Sequence, residues 1–183
     1  MFIQTESTPN PNSVKFILEK VIAPTCSFSF ERENVKTYLG FSKQVFDIKG
    51  VERVFVLDNF ITITKNEETD WDIVKPQVLS LLMDYISTNR NIVETNENKK
   101  DARIFDNKLE EEIFNIIEDR VRPAVAMDGG DIEFIKFTQD DGVVYVSMQG
   151  ACSGCPSSSA TLKDGIKRTL QYYVPEVIDV VQV

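Results

Sequence analysis

The stretch that decides the fold of the second half of the chain covers residues 143–173 and reads VVYVSMQGACSGCPSSSATLKDGIKRTLQYY. Its first part, residues 143–149, predicts a strand. Its last part, residues 157–173, predicts a helix whose apolar positions are Leu162, Ile166 and Leu170. Between them lie Cys152 and Cys155, separated by Ser153 and Gly154 and followed by Pro156. The two cysteines therefore occupy a loop that joins a strand to a helix.

The elements around this loop complete a small domain. A helix is expected over residues 108–121, a turn over 128–131, and further strands over 132–138 and 177–183. The sequence Asp140-Asp141-Gly142 is a turn signal between the first two strands. The predicted order of this domain is α-β-β-α-β.

The first half of the chain predicts an antiparallel sheet with helices packed on it. Strands are expected over residues 2–6, 13–18, 28–30, 51–57 and 60–64, and a weak helix over 36–48. A second helix is predicted from the helical spacing of Trp71, Val74, Val78, Leu81 and Tyr85. Two prolines within residues 8–12 predict a turn, because proline fixes φ and interrupts strand pairing.

These elements predict an α+β protein of two small domains. The first domain is expected over residues 1–88 and the second over residues 108–183. The polar, charged segment between them, residues 89–107, shows no sustained apolar period and predicts a linker.

The composition excludes several classes of protein. The chain has 183 residues and a net charge of −9, and residues 96–183 carry 10 basic and 16 acidic side chains, a net −6. A nucleic-acid partner is not expected, because such proteins present a basic face. No apolar run is long enough to span a bilayer, so no membrane role is expected. The first residues resemble neither a secretory signal nor a transit peptide, which predicts a cytoplasmic protein, or a mitochondrial matrix protein if the chain is a processed eukaryotic form.

The absence of histidine limits the chemistry further. With no histidine in the sequence, Ser-His-Asp and Cys-His catalysis are excluded. The three cysteines, Cys26, Cys152 and Cys155, are too few for a disulfide framework. Any metal site must therefore use cysteine or carboxylate ligands.

The pair formed by Cys152 and Cys155 is the strongest candidate for such a site. Thiolates are soft ligands that suit Zn(II), Cu(I) and iron–sulfur clusters. Pro156 favours the start of a helix, and the N-terminal end of a helix stabilises thiolates and the negative charge of a thiolate-bound cluster. A purely structural role, with two unreactive cysteines near a core, is the alternative. The serines around the pair disfavour it, because they suggest that the pair is exposed to solvent.

The number of ligands is the next constraint. A zinc site or a [4Fe–4S] cluster takes four protein ligands, and this motif supplies two. Cys26 lies in the other domain, where a small, partly buried apolar role is expected for it. The simplest completion is a second copy of the same chain, which supplies a second Cys152 and Cys155. Such a shared, easily disassembled site suits handing a cluster on.

Two other functions remain open on these residues alone. A thioredoxin-like dithiol oxidoreductase would use Cys152 as the nucleophile. However, only one predicted helix and one strand follow the motif here, whereas most of a thioredoxin fold follows its motif. A structural zinc-binding or adaptor protein is the third possibility.

The sequence also resembles a known family. The stretches RPAVAMDGGDI (residues 122–132) and MQGACSGCPSS (148–158) resemble the C-terminal domain of NifU and the Nfu proteins, as do TLK (161–163) and VPEV (174–177). The stretch TESTPNPN (5–12) and the pair GV (50–51) resemble the Nfu N-terminal domain. The resemblance covers nearly the whole chain.

The resemblance implies a non-catalytic iron–sulfur cluster carrier with Cys152 and Cys155 as cluster ligands. It implies a [4Fe–4S] cluster, in preference to [2Fe–2S], that bridges a homodimer. It further implies an upstream cluster-assembly scaffold as donor and apo iron–sulfur proteins as recipients. It also implies that residues 128–131 support the cluster loop. From the residues alone, Asp128, Asp131 and Glu133 are expected only to cap and solvate that turn.

Overall fold

The computed structural model describes residues 2–37, 40–88, 90–93, 105, 107–153 and 158–183. The chain divides into two compact units, residues 1–98 and 99–183. Each unit combines helices with one sheet, which confirms the predicted two-domain α+β fold. Most of the predicted linker 89–107 lies outside the described residues, so the exact domain boundaries stay a prediction.

The first unit contains a five-stranded antiparallel sheet in the order β1-β2-β5-β4-β3. Its strands are β1 (Ile3–Ser7), β2 (Ser13–Leu18), β3 (Ala23–Glu31), β4 (Val51–Asp58) and β5 (Phe60–Lys65). The tight link between β4 and β5 places Asp58 at a φ of +49°, a conformation that aspartate tolerates better than most residues. The sheet predicted from sequence is thus confirmed, with a longer third strand.

The helices of this unit pack on one face of the sheet. They are a 3₁₀ helix (Arg32–Thr37), α1 (Gly40–Asp47) and α2 (Trp71–Ser87). On α2 the fully buried stripe is Val74, Val78, Leu82 and Tyr85, whereas the predicted Leu81 is only partly buried. Leu82 belongs to the stripe because spacings of four, four and three residues follow the 3.6-residue period. Ile92 and Val93, within the predicted linker segment, are also buried in this core.

The second unit has the predicted order α-β-β-α-β. Its elements are α3 (Lys108–Ile116), a π-helical turn (Ile117–Val121), α4 (Arg122–Met127), β6 (Gly130–Thr138), β7 (Val143–Gly150), α5 (Ser158–Tyr173) and β8 (Asp179–Gln182). Strands β6 and β7 form an antiparallel hairpin, and β8 pairs parallel to β7 through the α5 crossover.

The first helix of this unit does not end at Val121 as predicted. Helical structure continues to Met127, because Pro123 lies in the first turn of α4 and its missing N–H is accommodated there. The buried residues of this segment are Ile113, Ile117, Val121 and Val125. A uniform four-residue spacing would drift around a regular helix, since 3.6 residues make one turn. The wider π turn keeps all four side chains on the core face.

Within the part of the chain that the structure describes, no helix combines the length and apolar character needed to cross a membrane.

Candidate functional site: the Cys152 loop

The loop that carries Cys152 begins where the paired strands β6 and β7 end. Gly130, the first residue of β6, pairs with Gly150, the last residue of β7. Gly129 and Gly150 have φ values of +81° and +69°, in the left-handed region that side chains disfavour. Two glycines thus allow the chain to turn sharply on both sides of this strand end.

Backbone hydrogen bonds join the loop to the end of α4. The Ala151 N–H donates to the Gly129 carbonyl at 3.1 Å, and the Ser153 N–H donates to the Gly150 carbonyl at 3.1 Å. The Gly129 N–H in turn donates to the Ala126 carbonyl of α4 at 3.1 Å. The turn at residues 128–131 therefore supports the cysteine loop directly, a contact that the resemblance implied.

The thiol of Cys152 packs against Gly130. A Cβ atom added to Gly130 would lie 2.7 Å from the Sγ atom of Cys152 and 2.7 Å from the Gln149 carbonyl oxygen. Glycine at position 130 is therefore a condition for the observed place of the thiol.

The structure corrects the expectation that this cysteine is exposed. Cys152 is only 4% exposed and belongs to the apolar core of the second unit, together with Ile132 and Met148. The nearby serines indicated exposure, but the thiol packs into the core, in the space that a side chain at position 130 would otherwise occupy.

An ion-pair network lies beside this packing. Arg122 donates to both carboxylate oxygens of Asp131, from Nε at 2.7 Å and from Nη2 at 2.9 Å. Its Nη1 donates to Glu118 at 2.7 Å. The hydrogen bond to Asp131 is the largest cause that raises the pKa of Arg122 above its ordinary value, so the guanidinium stays charged. Asp131 follows Gly130 directly, so Arg122 ties the α4 segment to the strand end that holds the thiol.

The network shows that one acid of the turn was misjudged from sequence. Asp131 is 3% exposed and ion-paired, rather than solvated as expected, whereas Glu133 is exposed. The i,i+4 spacing of Glu118 and Arg122 was a visible signal for one pair. The contact of Arg122 with Asp131 crosses from helix to strand, and no local pattern indicates it.

The structure describes only part of the other predicted site residues. Cys155 lies outside the described residues, as does most of its turn. Cys26 lies on β3, and its side chain is likewise outside what is described. Among the described residues, no group of three or more Cys, Asp or Glu side chains is arranged to hold a metal ion. The assignment of Cys152 and Cys155 as ligands therefore stays a prediction.

Comparison with known proteins adds to this geometry. A family model described as scaffold protein Nfu/NifU N terminal matches residues 3–89, and the NifU-like domain model matches residues 113–181. NifU-like protein 4, mitochondrial, of Arabidopsis thaliana is 44% identical over 188 residues, covering 100% of this chain and 66% of that protein. NFU1 iron-sulfur cluster scaffold homolog, mitochondrial, of Homo sapiens is 40% identical over 185 residues, covering 100% of this chain and 72% of that protein.

Fold and matches together define a two-domain protein in which an Nfu-type N-terminal domain precedes a NifU-like domain. The chain spans about two thirds of the length of these relatives, 66% in one case and 72% in the other. It belongs to the Nfu family, which confirms the resemblance seen in the sequence.

Proposed function

We propose that two copies of this chain hold one [4Fe–4S] cluster as cargo between their Cys152 and Cys155 thiolates. They would receive the cluster from an upstream assembly scaffold and deliver it to apo iron–sulfur proteins, with no catalytic step of their own. The family membership and the name of the human relative, an iron-sulfur cluster scaffold homolog, support this role.

The observation that carries the proposal is the built environment of the Cys152 loop. Gly129 and Gly150 adopt the left-handed φ values of the turns beside the thiol, and Gly130 leaves the space against which the thiol packs. The Arg122–Asp131 pair ties α4 to the same strand end. A loop held in place by such contacts is expected where a side chain must be positioned for a function.

A shared cluster follows from the ligand count. Each chain offers two cysteines in the motif, and a [4Fe–4S] cluster takes four. Separation of the two chains leaves each half with only two ligands, which makes the site easy to empty. A [2Fe–2S] cluster is the less favoured cargo.

The rival role, a dithiol oxidoreductase, requires Cys152 to attack disulfides. The 4% exposure of this thiol does not separate the two roles, because a disulfide and a cluster would both require it to leave the core. The topology around the motif does separate them. A thioredoxin-like motif follows a strand of a βαβ unit, whereas Cys152 follows β7, the second strand of an antiparallel hairpin, which favours the carrier.

Anaerobic loading tests the proposal. Wild-type protein is incubated with ferrous iron and sulfide, and iron, sulfide, the absorption spectrum and the molecular mass are measured. We expect about four iron atoms per two chains and a shift toward dimer. Cys152→Ser and Cys155→Ser should each lose the cluster, because each removes two of four ligands from the dimer.

Cys26→Ala is the matched control for these variants. It should load like wild type, since Cys26 lies in the other unit; loss of the cluster in a folded Cys26→Ala protein would show that the ligand assignment is wrong. Insulin disulfide reduction is measured in parallel. Fast reduction by the wild type with no cluster transfer to apo-aconitase would overturn the carrier in favour of the oxidoreductase.

The cellular location stays a prediction. Both relatives are named as mitochondrial proteins, which supports the matrix alternative over the cytoplasmic one. Fractionation of cells that express the tagged protein decides between them.

A further inference from the structure

The solvent-facing side of α2 in the first unit carries apolar residues where a surface helix is ordinarily polar. Ile73 is 55% exposed and Met83 is 54% exposed, and Pro76 and Ser80 between them are also exposed. Spacings of three, four and three residues place all four on one side of the helix, over a length of about 15 Å. The buried residues of α2 lie on the opposite side. We call the surface formed by Ile73, Pro76, Ser80 and Met83 the α2 stripe.

Pro76 makes this stripe unusual. A proline inside a helix destabilises it, because proline has no N–H and its ring crowds the carbonyl four residues earlier. That carbonyl belongs to Asp72, which therefore lacks its regular backbone donor. The next carbonyl, that of Ile73, accepts a hydrogen bond from the side chain of Gln77 at 2.8 Å. Pro76 is exposed, so packing of the core does not require it, and a destabilising residue at such a position is expected where the surface has a function.

The N-terminal end of the α2 stripe is acidic. Four exposed carboxylates lie in or just before the first turn of the helix: Glu67, Glu68, Asp70 and Asp72. Within the described parts of the chain none of the four makes an ion pair, whereas Asp84 at the other end is paired with Arg90. Every residue of α2 is described, and none of its exposed residues is basic. The surface is therefore apolar along its length and negatively charged at one end.

We propose that the α2 stripe docks recipient proteins through an amphipathic segment. The apolar residues of that segment cover the stripe, and its lysine or arginine residues meet the acidic end. The inference rests on the proposed function, since it names the surface by which the carrier recognises its recipients. The proposed ligands Cys152 and Cys155 belong to the second unit, so docking and cluster exchange are assigned to different units.

Charge complementarity identifies this occupant. A basic segment is attracted by the four unpaired carboxylates and can donate a hydrogen bond to the open carbonyl of Asp72. A second copy of the chain carries a net charge of −9 and is repelled from the acidic end. The stripe therefore suits a partner of opposite charge better than another copy of the same protein.

The apolar part of the proposal is tested with the full-length, cluster-loaded protein and apo-aconitase as recipient. The double variant Ile73→Gln/Met83→Gln removes the apolar side chains but keeps a residue that favours helices. Transfer at low recipient concentration should become at least about tenfold slower. Phe2→Gln/Val21→Gln is the matched control, because these residues are 75% and 47% exposed in the same unit but lie outside α2, and it should transfer as wild type.

The charged part is tested by Glu68→Lys, which should slow transfer at least about threefold at low ionic strength. Added salt screens exposed charges, so it should slow the wild type toward the rate of this variant. Glu19→Lys makes the same change in the link between β2 and β3, away from α2, and should leave the rate unchanged.

Iron content and sedimentation velocity of the loaded variants are measured, together with chemical unfolding of their cluster-free forms. The altered side chains are exposed, so all variants should load, dimerise and unfold like wild type; should Ile73→Gln/Met83→Gln fold poorly, Glu68→Lys, outside the helix, supplies the test. Stripe variants that transfer as wild type, or that slow no more than their controls, overturn the inference but leave the carrier intact. Loss of the loaded dimer in these variants would assign the stripe to a second copy and also overturn it. A wild type that takes up no cluster refutes the proposed function itself.

Discussion

Replacement of Gly130 by alanine tests the packing on which the site depends. The new Cβ would lie 2.7 Å from the Cys152 Sγ atom, 3.2 Å from the Cys152 Cβ atom and 2.7 Å from the Gln149 carbonyl oxygen. Non-bonded heavy atoms attract best at about 3.5–4.0 Å, so the thiol or the backbone must move by about 1 Å. One of the three atoms belongs to the backbone of β7, which cannot turn aside like a flexible side chain.

The expected cost is that of an overpacked core, about 1–3 kcal/mol in the free energy of unfolding. The displaced thiol should also become more reactive, because it loses its place in the core. Gly165→Ala is the matched control: this glycine lies on α5 with nothing within 4 Å of an added Cβ. Alanine in a helix interior is favoured over glycine, so the control should gain about 0.5–1 kcal/mol.

The assay is urea unfolding of both cluster-free variants, together with the rate at which Cys152 is alkylated, read by peptide mass spectrometry. Gly130→Ala should lower the free energy of unfolding, whereas Gly165→Ala should raise it. Only Gly130→Ala should make the alkylation of Cys152 faster. A Gly130→Ala protein as stable as Gly165→Ala, with wild-type alkylation, would refute the packing argument.

Three further predictions concern the Arg122–Asp131 ion pair, the loss of stability at low pH and the independent folding of the second unit. Arg122→Met should lower the free energy of unfolding by about 3 kcal/mol, because the buried carboxylate of Asp131 loses its ion-pair partner. Arg122→Lys keeps the positive charge and should lower it less. Urea titrations in which neither variant loses stability would contradict this prediction. The pKa of Asp179 is lowered by a hydrogen bond from the Val180 N–H and, to a smaller extent, by one from Lys167. The stability that these bonds give to the folded protein is therefore complete above about pH 4, and it is lost as the pH falls through the lowered pKa. Unfolding of Asp179→Asn against pH should lack that acid loss, and an unchanged pH profile would remove the assignment. Residues 101–183, expressed alone, should fold and load, because their core is self-contained; an unfolded product in circular dichroism would count against it.

Local patterns were enough to predict most of the fold. The strands expected over residues 51–57 and 60–64 are β4 and β5, and the helical spacing of Val74, Val78 and Tyr85 predicted α2. The third strand was underestimated, since its pairing register shifts between Ala23 and Phe28 and the alternation of apolar residues is interrupted.

The site could be predicted in position but not in environment. Strand and helix patterns placed Cys152 on a loop between β7 and α5, as the structure has it. Its burial depends on Gly130, which is 22 positions earlier in the sequence and adjacent only through the pairing of β6 with β7. Such a contact has no local signature, and neither has the inward turn of Arg122.

The burial of Cys152 also bears on how a carrier behaves between deliveries. An empty pair of exposed thiols is open to oxidation, whereas a thiol that is 4% exposed is shielded from oxidants. If Cys152 is a cluster ligand, as proposed, its thiolate would have to leave the space beside Gly130 on loading. The packing lost would then lower the affinity for the cluster, and the packing regained would favour its release.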